Sequence, residues 1–140
     1  MSKFLILIIL YNNNIVILNC YICQKKERIE IFEINPNIIT EKEITVQSGQ
    51  EFCIKISTFI KSYVLLNKNE NKDSIPLIKT DSITEHYEGE DIGGRKGYLL
   101  YYFKANSITK EPKLLKYTDT YSYLKQSNPE IKVLIKVNVN

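Results

Sequence analysis

Apolar and polar residues alternate with a period of two through most of the chain. The pattern is clearest near the C-terminus, where Ile131, Val133 and Ile135 occupy alternate positions and Lys132 and Lys136 lie between or beside them. Successive side chains of a β-strand point to opposite faces of its sheet. The alternation therefore predicts a half-buried strand over residues 130–140, with Ile131, Val133 and Ile135 facing the core.

The same period predicts further short strands, at residues 28–34, 43–46, 51–56, 63–66 and 113–118, with one or two more within residues 77–87. Turn-forming segments such as residues 47–50 separate them. In the strand at 51–56, Phe52 and the two isoleucines are predicted to face inward, which leaves Cys53 on the other face as a partly exposed thiol. Residues 119–129 are predicted to form a long polar loop that contains tyrosines.

A glycine-rich segment precedes the most aromatic run of the chain. Three of the five glycines fall within residues 91–97, and residues 98–105 follow with tyrosine, leucine and phenylalanine in nearly unbroken series. Glycine permits tight turns, and such an apolar run is typical of a strand covered on both faces. We therefore expect a tight loop that leads into a central strand, with Leu99, Tyr101 and Phe103 in the core. Taken alone, the glycine pair is best explained as a simple hairpin turn.

Seven or eight short strands without a convincing amphipathic helix predict an all-β fold, an immunoglobulin-like antiparallel β-sandwich. The chain has 140 residues, which is enough for a single domain with its own core. It contains no tryptophan, so the Cys-Trp-Cys signature of true immunoglobulin domains is missing.

The first 24 residues differ from the rest. Lys3 is followed by apolar residues 4–10, three asparagines and a second apolar run. This order predicts a signal peptide or hydrophobic leader over residues 1–24 and a single domain over residues 25–140. An additional N-terminal element of the fold is the alternative. A stable membrane span is not expected, because consecutive asparagines near its middle would be costly in lipid. A leader implies the secretory pathway, with a secreted or endolysosomal protein; an uncleaved chain would be cytoplasmic.

Charge and reactive residues argue against several functions. The formal net charge is +3 with lysine and glutamate interspersed, so nucleic-acid binding is not expected. The single histidine, His86, and the lone pair Cys20 and Cys23 provide neither a catalytic constellation nor a convincing metal site. The glycine segment lacks the ending of a phosphate-binding loop. We therefore expect no enzymatic activity, no catalytic residues, no metal and no cofactor.

The order of several short motifs carries more information than composition. A strand at 43–46 is followed by Gly49 and Gln50, then by a loop that ends in an aromatic residue, by Tyr87, by a Gly-Gly loop and by an aromatic strand that ends at residues 104–105. This order resembles the chagasin-like inhibitors of papain-type cysteine proteases, over about residues 41–140. The resemblance implies an immunoglobulin-like sandwich that presents three loops at one end to a protease.

The resemblance also implies which residues bind the protease. In the family the first loop reads Asn-Pro-Thr-Thr-Gly-aromatic; here its place is taken by Thr58, Phe59, Ile60, Lys61, Ser62 and Tyr63, and only the closing aromatic is kept. The second loop retains its glycine pair within Ile92, Gly93, Gly94 and Arg95. The third loop, Arg-Pro-Trp in the family, corresponds to Asp119, Thr120 and Tyr121, so that a carboxylate replaces a guanidinium.

The function implied is that of a monomeric, reversible protein inhibitor that blocks the active-site cleft of a papain-like cysteine protease with these three loops. An apolar loop tip at Phe59 and Ile60 is typical of a binding surface, although burial against the sandwich would explain it equally well. Tyr121 could take the place of the missing tryptophan as an aromatic anchor. The alternative is a non-inhibitory immunoglobulin-like binding or carrier module with the same sandwich and diverged loops.

Overall fold

Two four-stranded β-sheets face each other in the computed structural model of the chain. The structure describes residues 7–11, 14–18, 29–58, 61–85 and 96–140. The strands of the two sheets are β3 (Glu30–Ile34), β4 (Glu41–Val46), β5 (Glu51–Ser57), β6 (Tyr63–Leu65), β7 (Leu77–Glu85), β8 (Lys96–Lys104), β9 (Lys113–Asp119) and β10 (Val133–Val139). The segment 77–87, in which one or two short strands were expected, forms the single strand β7 as far as Glu85.

One sheet has the strand order β3-β5-β8-β7 and the other β4-β10-β9-β6. Most neighbouring strands are antiparallel, whereas β3 pairs with β5, and β4 with β10, in the parallel direction. Parallel neighbours need a long connection. β4, which belongs to the other sheet, lies between β3 and β5 in the chain, and among the described residues five strands and a helix lie between β4 and β10. The all-β sandwich predicted from the sequence is confirmed, with parallel edge strands in addition.

Both sheets contribute to a single hydrophobic core. Phe52 of β5 stacks on Phe103 of β8 with ring centroids 5.4 Å apart. Tyr101 of β8 meets Tyr117 of β9 edge-on across the two sheets, at 5.1 Å. Because rings from opposite sheets are in direct contact, the two layers form one packed unit that can hold the loops at its ends rigidly.

The inward face predicted for the C-terminal strand is confirmed within β10. Val133 and Ile135 are fully buried in the core cluster, together with the two valines that follow at alternate positions. Ile131 was expected on the same face, and this is wrong, because 44% of its surface is exposed. It precedes the strand, which begins only at Val133, so the two-residue period does not yet apply to it.

Cys53 was expected to be partly exposed and is instead 0% exposed. It lies on the outer face of its sheet, but β5 has β3 on one side and β8 on the other, and Tyr102 is its partner in the register with β8. Lysine side chains cover this face further: Lys55 lies over the ring of Tyr98 and Lys79 over that of Tyr102. Burial raises the pKa of the Cys53 thiol to about 11, so the thiolate is scarce at neutral pH.

Hydrogen bonds from buried side chains hold the polar connection between β6 and β7. Asn67 and Asn71 both donate to the carbonyl of Leu114, at 2.8 and 2.7 Å, and Asn67 Oδ1 accepts from the backbone N–H of Lys116 at 2.9 Å. This polar connection is therefore fastened to β9. Its two buried side-chain amides hydrogen-bond to backbone groups of β9 that would otherwise be left without a partner.

The N-terminal residues form two further strands. β1 (Leu7–Tyr11) and β2 (Asn14–Leu18) pair with each other antiparallel, with Leu7 opposite Leu18. They fall within the segment predicted as a leader, whose removal stays a prediction. No helix among the residues that the structure describes has the length and apolar character needed to cross a membrane.

Candidate functional site

Three connections emerge at one end of the sandwich. The first loop, residues 58–63, follows β5; the second, residues 86–95, joins β7 to β8; and the third, residues 119–126, follows β9. The register of the sheets places Ser57 opposite Tyr98, and Tyr63 opposite Asp119. The ends of all these strands therefore lie at the same edge. The grouping of the three loops at one end, which the resemblance implied, is present in their described stems.

Part of the predicted site lies outside the described residues. This applies to Phe59 and Ile60 of the first loop and to Ile92, Gly93, Gly94 and Arg95 of the second. Thr58, Lys61, Ser62 and Tyr63 of the first loop, and all three predicted residues of the third, are described.

A close backbone contact ties the first loop to β8, the strand that follows the second loop. The N–H of Thr58 donates to the carbonyl of Gly97 at 2.8 Å. A Cβ added to Gly97 would come within 2.6 Å of Thr58 Oγ1, which is closer than non-bonded atoms approach. Glycine at 97 therefore leaves room for the Thr58 side chain, and any larger residue there would require Thr58 Oγ1 to move.

Two further hydrogen bonds fix the C-terminal end of the first loop. The N–H of Thr120 donates to the carbonyl of Ser62 at 2.9 Å, which joins the first and third loops. The hydroxyl of Tyr101, on β8, donates to the carbonyl of Tyr63 at 2.6 Å across the buried core. The first loop is therefore bonded at one end to β8 and at the other to the start of the third loop, and its closing residue Tyr63, in β6 of one sheet, bonds to Tyr101 of the other.

The third loop contains a short helix that the sequence analysis did not predict. Helix α1 (Thr120–Lys125) begins directly after β9 and ends where the N–H of Gln126 donates to the carbonyl of Ser122. The expected polar loop is thus partly helical. The signal available in the sequence is weak: an aspartate before the segment, which is a preferred N-cap residue, and apolar side chains three positions apart at Tyr121 and Leu124.

Asp119 provides the N-cap of this helix. Its Oδ1 accepts from the backbone N–H of Ser122, and its Oδ2 accepts from the Ser122 hydroxyl, both at 2.8 Å. The side chain is 4% exposed. The hydrogen bond from the Ser122 N–H lowers the pKa of the Asp119 carboxyl, with help from its hydroxyl and from Lys61 and Lys132, although desolvation opposes them. The carboxylate is therefore a structural group inside the end of the sandwich, and not a surface charge.

The side chains that the helix presents to solvent are large. Tyr121 is 72% exposed and Leu124 is 73% exposed, while Tyr123 is exposed by about half. Tyr121 and Leu124 are three positions apart and hence on one side of the helix. We call this pair the helix ridge. Exposed apolar side chains of this size, next to one another, are typical of a contact surface.

The other predicted residues of the first loop differ in exposure. Lys61 and Ser62 are exposed, whereas the ring of Tyr63 is buried in the core. Burial raises the pKa of Tyr63, and the negative charge of Asp119 adds to this effect. Tyr63 therefore closes the first loop from inside the sandwich, and its position depends on the core rather than on a partner.

The described part of this end offers binding surface and no chemistry of its own. Its exposed groups are hydroxyls, lysines and the helix ridge, without a nucleophile hydrogen-bonded to a base. No group of three or more histidine, cysteine, aspartate or glutamate side chains within the described ranges is placed to bind a metal ion. The arrangement can recognise a partner by shape and by backbone and apolar contacts.

Solved structures with a similar fold give independent information. The crystal structure of EhICP2, a cysteine protease inhibitor from Entamoeba histolytica, superposes with a TM-score of 0.55 at 10% sequence identity, over 81% of this chain and 98% of that one. The structure of PbICP-C in complex with falcipain-2 gives a TM-score of 0.44 at 17% identity, over 79% and 99%. The solution structure of amebosin gives 0.40 at 16%, over 79% and 98%.

No protein-family model matches the chain, and no curated protein sequence matches it. The likeness to EhICP2 therefore supports the sandwich fold, which nearly the whole of that inhibitor shares with this chain. At 10% identity it is a likeness of fold alone.

Proposed function

We propose that this protein is a reversible inhibitor of papain-like cysteine proteases, which it blocks with the three loops at one end of the sandwich. The observation that carries the proposal is the way in which the loop stems are joined. Thr58 bonds to Gly97 of β8 and Ser62 bonds to Thr120, so that the first loop is fixed to the strand that follows the second loop and to the start of the third. A partner that meets the first loop would therefore lie next to the stems of the other two.

Such an arrangement suits inhibition for a physical reason. A protein that blocks a cleft must lose little conformational entropy on binding, and loops held on a packed scaffold have already lost it. The contact between Tyr101 and Tyr117, and the Tyr101 hydrogen bond to Tyr63, provide that rigidity directly beneath the first loop. The fold shared with the cysteine protease inhibitor EhICP2 supports the same proposal.

In this proposal the binding residues are those of the three loops: Thr58, Phe59, Ile60, Lys61, Ser62, Tyr63, Ile92, Gly93, Gly94, Arg95, Asp119, Thr120 and Tyr121. Their roles differ. The glycine pair would offer backbone, Tyr121 would be an aromatic anchor, and the buried Tyr63 and Asp119 would hold the loops in place. The protein acts as a monomer, without a cofactor, in the secretory pathway or an endolysosomal compartment to which its leader directs it.

Titration of papain with the full-length chain, followed with a small fluorogenic peptide substrate, tests the proposal. We expect activity to fall linearly and to reach zero near one equivalent when the enzyme concentration exceeds Kd. Dilution should restore activity, because the inhibition is reversible. Activity that is unchanged at a large excess, with no binding detected by calorimetry, would contradict the proposal.

A carrier or binding module is the second candidate. The observation that favours it is the change in two of the three loops, since the first lacks the proline and glycine of the family and the third has become a helix capped by Asp119. Calorimetry on the same mixture separates the two functions. Stoichiometric binding that leaves the enzyme fully active would identify the carrier.

A further inference from the structure

We propose that the helix ridge, Tyr121 with Leu124, is a specificity element that enters an apolar pocket bordered by carboxylates on the target protease. The inference rests on the proposed function and extends it in two ways. It adds Leu124 to the binding surface, and it assigns Asp119 as the residue that positions the ridge. It also states which papain-type proteases this protein should prefer.

The first step is the exposure of the ridge. Each of its two side chains is nearly three-quarters exposed, although α1 is anchored to the body on its other side through the buried Ser122. Burying a tyrosine and a leucine of this exposure in a pocket would release a large apolar area from water. Exposing these two side chains to water is unfavourable in itself, so contact with solvent does not explain why the helix presents them together.

The second step is the position of the ridge beside the first loop. Thr120, the first residue of α1, bonds to Ser62, and the capping carboxylate of Asp119 lies one residue before it. A partner seated on the first loop is therefore within one helical turn of Tyr121. The ridge therefore begins beside Ser62, at the described end of the first loop.

The third step is charge. Lys61 and Lys132 lie close enough to Asp119 to lower the pKa of its carboxyl, and Lys125 lies in the last turn of α1. All three lysines are exposed, whereas the described carboxylates beside them are Glu130, which pairs with Lys132 at 2.7 Å, and the buried Asp119. The helix side of the site therefore has an excess of positive charge. A pocket that accepts the ridge would be complementary if carboxylates lined its border.

Matched alanine variants of the full-length chain test the ridge. Leu124→Ala and Ile108→Ala remove similar side chains of the same 73% exposure, but Ile108 lies in the connection between β8 and β9, at the opposite end of the sandwich. Binding would be measured by calorimetry to papain and to a papain-type enzyme with a net negative charge at the assay pH. We expect Leu124→Ala and Tyr121→Ala each to weaken binding about tenfold or more, and Ile108→Ala to change it less than about twofold.

A double-mutant cycle tests the positioning role of Asp119. Asp119→Ala should weaken binding about as much as Leu124→Ala, and the double variant should lose little more than either, because both changes remove the same ridge contact. Asp119→Asn should bind within about threefold of the wild type, since asparagine is an equally good N-cap. Additive losses in the cycle would show that Asp119 acts independently of the ridge and would overturn this assignment.

Charge variants test the preference for a pocket with an acidic border. We expect tighter binding to the acidic enzyme than to papain. The difference in affinity should shrink as salt rises from about 50 to about 500 mM. Lys125→Glu should remove this difference while affecting binding to papain less. If the wild type inhibits but Leu124→Ala and Tyr121→Ala behave like Ile108→Ala, the inference is overturned while the proposed function stands. If the wild type neither inhibits nor binds either enzyme, both fail.

Discussion

Two buried tyrosine hydroxyls with opposite surroundings lie at the centre of the molecule. Tyr101 donates to the carbonyl of Tyr63, whereas the hydroxyl of Tyr117 has no hydrogen-bond partner among the described residues. Burial raises the pKa of both side chains, Tyr117 the more strongly. A buried hydroxyl stabilises the fold only when it is paired, so the two should respond differently to its removal.

We expect Tyr101→Phe to lower the free energy of unfolding by about 1 to 2 kcal/mol, because it loses a buried hydrogen bond. Tyr117→Phe should leave it unchanged or raise it, because it removes an unpaired polar group. Urea unfolding of the two variants is the measurement, and each is the control for the other. A loss in Tyr117→Phe as large as that in Tyr101→Phe would mean that the Tyr117 hydroxyl has a partner in solution.

At Gly97, too, the addition of a single atom is expected to change the stability of the protein. A Cβ at this position would lie 2.6 Å from Thr58 Oγ1. We expect Gly97→Ala to destabilise the protein by about 1 kcal/mol or more, since the β-branched threonine has few alternative rotamers. Thr58→Ala removes the conflicting oxygen, so Gly97→Ala should cost less in that background. Equal costs in both backgrounds, measured by urea unfolding, would show that the clash is not the cause.

In the strand β10, side chains alternate between the core and the outer face, and this alternation determines how much each one contributes to the stability of the fold. Ile135 is fully buried, and its neighbour Lys136 lies on the other face, 2.5 Å from Glu41. We expect Ile135→Ala to cost about 2 to 5 kcal/mol, as for other buried aliphatic truncations, and Lys136→Ala less than about 1 kcal/mol, as for exposed ion pairs. Chemical unfolding measures both. Similar costs would contradict the assignment of the two faces.

Helix α1 should respond to pH through its cap. The pKa of Asp119 is lowered in the folded protein, chiefly by the hydrogen bond from the Ser122 N–H. Stability from the cap is therefore fully present above the unfolded pKa, near 4, and is lost as the pH falls through the folded value. The difference in unfolding free energy between the wild type and Asp119→Asn should be constant from about pH 7 to 5 and should diminish below about pH 4. A difference that changes between pH 7 and 5 would assign the titration to another group.

At the scale of the whole molecule, the sandwich is predicted to fold without its first 24 residues. The core cluster begins at Ile34 and draws on both sheets, and every strand in them follows residue 28. We expect a fragment of residues 25–140 to show a β-rich far-UV spectrum and a cooperative thermal transition. If only the full-length chain does so, residues 1–24 belong to the fold, and the prediction of a leader is wrong.

The joined loop stems are also a property of the whole molecule. The first loop bonds to Gly97 in one sheet and to Thr120, which directly follows β9 of the other, so each bond connects residues about 40 to 60 positions apart in the chain. A change in either sheet that separates the layers would therefore separate the loops. This is why variants of the core, such as Tyr101→Phe, should also be assayed for binding once a protease has been identified.

The sequence by itself determined the local features of this protein. The period of two placed Val133 and Ile135 on the inner face, and Tyr101 and Phe103 in the core, because the direction of a side chain in a strand depends only on its place in the alternation. The turn at residues 47–50 was equally local, and Gly49 adopts the positive φ of 85° that glycine allows.

The tertiary structure decided whatever depends on residues far apart in the chain. Cys53 is buried because β3 and β8 flank its strand, and the sequence around it cannot show which strands those are. Helix α1 forms where a polar loop was expected, because it has a buried cap at Asp119 and a backbone bond to Ser62, and isolated helices this short are unstable. The meeting of the three loop stems follows from strand order, which local periodicity does not encode.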